Sequence, residues 1–173
     1  MCALSISSRS RVGQVEYLGT RLLEWVIPIG VPVGGHGVYL DAKRFYPQIP
    51  QDQFPAQMLT SELYLESGVR SMERGIVSAG RDPETGGHHY PKLELVRLAI
   101  PRRVYRQADM DVVPASGESA DLKREEVRGL KRVCDPKDLR VDQARRDRRT
   151  RGVTTSQRLA PQPRRIGTAQ TTR

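Results

Sequence analysis

From Lys92 to Ile100 the residues alternate with a period of two, and this run constrains the fold more than any other. Val96, Leu98 and Ile100 fall on one face of a strand, and Leu93, Leu95, Arg97 and Ala99 fall on the other. Arg97 therefore shares a face with leucines and an alanine. A guanidinium held among apolar neighbours needs a partner, because an unpaired buried charge is costly and its planar fork matches a carboxylate. The other reading is a rim arginine whose stem packs while its head reaches water. The wider stretch from Gly68 to Arg103 reads as strand, turn-rich loop, strand, with Arg74 on its first strand. Glu73 beside it offers a simple charge partner, although successive strand residues face opposite ways.

The elements around this stretch follow from periodicity and punctuation. Val12, Val15, Leu18, Leu22 and Trp25 or Val26 recur at helical spacing, which predicts an amphipathic helix ending before Pro28. Gly34-Gly35 turns the chain into a strand over His36–Asp41. Pro55 suits the first turn of a helix, Ala56, Leu59, Leu63 and Ser67 trace one side of it, and Gly68 is its stop. Arg81 to His89 is a turn-rich connection. Its adjacent His88 and His89 lack the further ligand spacing a metal site needs. Val104 to Val113 starts a second amphipathic helix, which Pro114, Ser116, Gly117, Glu118 and Ser119 are expected to interrupt. From Val141 onward the composition cannot offset chain entropy by burial, so disorder is expected there.

Composition narrows the function classes. Hydrophobic residues make up 37% and aromatic residues 5% of 173, a thin supply for one domain. Cys2 and Cys134 supply neither a disulfide framework nor metal-ligand spacing, so a reducing, cytoplasmic setting is the expectation. The opening segment has no signal-peptide pattern, and no apolar run is long enough to span a membrane. The net charge of +9 is concentrated in the tail, where Arg140 to Arg173 holds ten arginines against two aspartates. The last aromatic is Tyr105, so the stacking partners of a single-strand binder are missing from that basic run. Nonspecific phosphate attraction is what such a tail supports, not a specific nucleic-acid site.

Several motifs in order carry a resemblance: Pro32-Val33-Gly34-Gly35-His36-Gly37-Val38, Asp41-Ala42, Phe54-Pro55-Ala56-Gln57, Gly68 to Gly75, Val96-Arg97-Leu98, Ile100 to Tyr105 and Met110-Asp111. The chain resembles the C-terminal part of the pyridoxal-phosphate β-eliminating lyases, the family of tyrosine phenol-lyase and tryptophanase. The likeness is dense from Arg9 to Val113 and faint from Arg124 to Arg140. It implies an α+β fold, the small C-terminal domain of a fold-type I, aminotransferase-like enzyme, over residues 9–113. Residues 114–140 are then a degraded continuation and 141–173 a disordered arginine-rich tail. By the same resemblance Arg97 holds the substrate α-carboxylate, Arg74 contacts the phenol end, Met72 lines the aromatic pocket, and His36 stands behind the contacting residues. Arg74 favours the phenol-lyase side, because tryptophanase has an apolar residue there.

The resemblance also implies what is missing. The lysine that carries pyridoxal phosphate, and the phosphate cradle, belong to the large domain, with which none of this sequence aligns. Val141 and Asp142 stand where the family places two phenylalanines. The expectation is a fragment of an enzyme that cleaves aromatic amino acids to phenol, pyruvate and ammonia, inactive alone and not holding the cofactor by itself. Its partners would be the aromatic amino acid and either a large-domain chain or further copies of itself in a homo-oligomer. The competing expectations are an accessory protein that reuses the domain to bind a partner, and a weak nucleic-acid binder acting through the tail.

Overall fold

The computed structural model describes residues 3–101, 104–134 and 145–148, and the side chains of all of these except 3–8, 132, 134 and 145–148. Helix α1, Ala3–Glu24, buries Val15, Leu18 and Leu22, three of the residues in the expected stripe. Val12 is more exposed and Val26 lies outside the helix, facing solvent. Strand β1, Gly37–Asp41, runs into the short helix α2, Ala42–Phe45, whose first amides, Lys43 N and Arg44 N, donate to Asp41 Oδ1 at 3.1 Å each. A 3-10 turn at Gln51–Gln53 precedes α3, Pro55–Ser67.

Helix α3 begins and ends as its sequence predicts. Pro55 occupies the first turn, where its missing N–H is no loss, and Gly68 closes the helix at φ 74° with its N–H donating to Tyr64 O. Met58, Leu59 and Leu63 are fully buried, each burial contributing about 1.5–3 kcal/mol.

Strand β2, Met72–Arg74, leads directly into α4, Ile76–Ala79, a helical turn within the stretch read as strand, turn-rich loop, strand. Strand β3, Leu95–Ala99, is central in a three-stranded antiparallel sheet of order β1-β3-β2. Val38 pairs with Leu98, and Leu40 and Glu73 flank Val96, so these residues share the inner face. Helix α3 lies against β2 and β3, and α1 against β1. The alternation read from Lys92 to Ile100 is therefore right in phase, with Val96, Leu98 and Ile100 buried.

The expected break at Pro114 does not occur. Helix α5, Gln107–Leu122, runs through it and packs on α1 and α3. The residues that look like breakers form its buried side: Pro114, Ser116 and Gly117 face inward with Met110 and Ala120. Ser116 Oγ lies 2.6 Å from both Val112 O and Ser67 Oγ, so the hydroxyl is satisfied within the helix and against the end of α3. Packing on two helices offsets the one backbone bond that proline removes.

Beyond α5, strand β4, Leu130–Cys134, pairs antiparallel with β5, Arg145–Arg148. The expected disorder from Val141 thus fails for those four residues, and the rest of that expectation lies outside the described residues, as do Val141 and Asp142. No helix among the described residues is long and apolar enough to cross a membrane.

Candidate functional site

The outer face of the sheet gathers the residues that sequence reasoning singled out. Met72 pairs with Arg97, and Arg97 pairs with Tyr39, so these three stand in one row across the strands. Arg74, Leu95 and Asp41 make the next row. Directly opposed residues of an antiparallel pair share a face, with Cβ atoms about 5 Å apart, and diagonal neighbours are about 7–8 Å apart. Met72, Arg97 and Arg74 therefore converge on one patch.

Arg97 is half-buried, and its Nε is enclosed without a hydrogen-bond partner among the described residues. Asp41, diagonal to it on β1, is occupied in capping α2. Met72 is 48% exposed and Arg74 is exposed. An arginine anchored by its stem, with an unsatisfied edge and an apolar neighbour, can take a carboxylate attached to an apolar body. His36 is exposed at the entrance of β1, and its carbonyl accepts from Ile100 N at 3.1 Å. Its side chain is not brought into the Met72–Arg97–Tyr39 row.

Glu73 is not the partner of Arg74. It is 4% exposed on the inner face, where Oε1 accepts from Gly75 N at 2.7 Å and Val77 N at 3.1 Å, and Oε2 from Ser78 N at 2.9 Å. Alternation along β2 decides this, since neighbours on a strand point to opposite faces. Glu94, also missed, is fully buried. Its even position, in phase with Val96 and Leu98, was the available signal.

His88 is half-buried, edge-on to Phe54 and Tyr90, and no group of three or more His, Cys, Asp or Glu among the described residues is placed to hold a metal ion. A cavity of about 340 Å³ lies between α1, α5 and the end of β3, and neither Arg97, Arg74 nor Met72 lines it.

The sequence profile described as beta-eliminating lyase matches residues 5–116. The chain belongs to the β-eliminating lyase family. The tyrosine phenol-lyase of Nostoc punctiforme is 66% identical over 137 residues, 79% of this chain and 29% of that protein. The tyrosine phenol-lyase of Symbiobacterium sp. is 61% identical over 135 residues, 78% of this chain and 30% of that protein. A probable beta-eliminating lyase of Trichomonas vaginalis is 47% identical over 123 residues, 70% of this chain and 27% of that protein. This β-eliminating lyase chain thus spans less than a third of the length of these relatives.

Proposed function

We propose that this chain is the small C-terminal domain of a fold-type I, tyrosine phenol-lyase-like enzyme, supplying Arg97 for the substrate α-carboxylate, Arg74 for the ring hydroxyl and Met72 for the ring. The observation that carries the reading is the Arg97 Nε, without a hydrogen-bond partner among the described residues, on a sheet face shared with Met72 and Arg74. A bidentate carboxylate would complete that arginine, and a hydrogen bond from Arg74 to a ring hydroxyl would distinguish otherwise similar rings. His36 is read as supporting these contacts from the strand entrance.

Pyridoxal phosphate supplies the electron sink for such eliminations when an enzyme holds it. The described residues do not fit that group. Lys43, Lys92, Lys123 and Lys131 are all exposed, and Lys123 is bonded to Glu66, which raises its pKa, whereas a Schiff-base lysine is activated by a lowered one. Lys137 lies outside the described residues. The cofactor and its lysine are therefore assigned to a large domain, and the chain alone is read as inactive.

The test is to mix the purified chain with a lyase large-domain chain and pyridoxal phosphate and to measure phenol release from tyrosine. Release that needs both chains supports the reading. A stable complex without release favours an accessory role, and neither complex nor release overturns it.

A further inference from the structure

Two carboxyl groups meet at the corner between β2 and α4. Glu73 caps α4 from β2 through the Gly75, Val77 and Ser78 amides. Glu94 reaches the same corner from the approach to β3: its Oε1 accepts from Ile76 N at 3.0 Å and from Gln51 Nε2 at 2.8 Å. Gln51 Nε2 also donates to Pro91 O at 2.8 Å, and Ala42 N donates to Glu94 O at 2.8 Å. Oε2 lies against Gly75, in the space a side chain there would fill, and has no hydrogen-bond partner among the described residues.

We propose that Glu94 is a positioning residue: its buried carboxyl ties the Gly75–Ile76 corner to the β3 side of the sheet, and so sets Met72 and Arg74 against Arg97. The proposal rests on the reading of those three residues as substrate contacts. Strand β2 has only three residues and, among the described residues, one neighbouring strand, so its ladder alone holds it weakly. The bond from Ile76 N to Glu94 adds an anchor immediately past its end.

Burial pushes the Glu94 carboxyl up from its ordinary value, and the nearby Glu73 charge adds to this, while the Gln51 side chain and the Ile76 and Ala56 amides oppose it. Among the described residues, the groups that act on the Glu94 carboxyl are Glu73 from β2, the Gln51 side chain from the 3-10 turn, and the Ile76 and Ala56 amides from α4 and α3. Ionisation of Glu94 places two carboxylates at one corner, so the corner should respond to it.

The test is a set of amide NMR spectra of the full 173-residue chain over roughly pH 4–9, with Glu94→Gln and Glu94→Ala. In the unaltered chain the Met72 and Arg74 amide signals should move in one transition above the ordinary glutamate range. Glu94→Gln should lose that transition and keep the low-pH positions, and Glu94→Ala should displace both signals at every pH. If Met72 and Arg74 stay in place while only Ile76 and Gln51 respond, the proposal is overturned. Should Glu94→Ala fail to fold, the comparison of Glu94→Gln with the unaltered chain decides alone. Failure to release phenol with a large-domain chain would sink the functional reading and leave these spectra unchanged.

Discussion

The end methyl of Ile27 occupies the space where a side chain on Gly117 would stand. This contact lets α5 approach the segment after α1, and it explains a glycine in the middle of a helix that also contains Pro114.

Gly117→Ala should be close to neutral. Alanine gains about 1 kcal/mol of helix propensity, and the atom it meets is the far end of a side chain. Gly117→Val should lose about 1–3 kcal/mol by overpacking, with part recovered in combination with Ile27→Val. Urea unfolding of the four chains measures this.

Gly75→Ala should cost about 1–3 kcal/mol, because the added methyl meets a buried carboxyl held by two hydrogen bonds. Unfolding curves would contradict this if the variant matched the parent.

Stability should fall as pH rises, through the Glu94 contribution. The folded state keeps the proton longer than the unfolded chain, whose ordinary value is 4.5, so the contribution is full below that value and lost as pH rises through the raised folded value. Glu94→Gln should flatten this part of the profile, as followed by melting temperature against pH.

Arg97→Ala should cost the chain only about 1 kcal/mol, from the packing of its half-buried stem, since its Nε makes no hydrogen bond among the described residues. With a large-domain chain present, it should reduce phenol release about 100-fold, and Arg97→Lys should restore only part of it. Equal activity in all three chains would remove Arg97 from the site.

Arg74→Leu should weaken selection for a hydroxylated ring, by up to about 10⁴-fold if a hydrogen bond carries it. Competing tyrosine and phenylalanine analogues as inhibitors of the mixed enzyme would show whether the preference changes.

Much of the sheet was legible. The phase of β3, the start and stop of α3 and the sharing of a face by Arg97 with Leu95 all follow from local periodicity and the backbone habits of proline and glycine. The partner of Glu73 was not, because its ligands are amides of a helical turn that has no apolar pattern of its own. Pro114 misled for a related reason: local propensity argues for a break, and packing against α1 and α3 overrides it.

The amino-acid order by itself determined which residues of each strand share a face and, through its motifs, the family. Only the tertiary structure decided which strands are neighbours, and thereby brought Met72, Arg97 and Tyr39 into one row. It also buried Glu94 beside Glu73. Period and propensity act over a few residues, whereas these juxtapositions depend on contacts between segments far apart in the chain, whose burial no local pattern specifies.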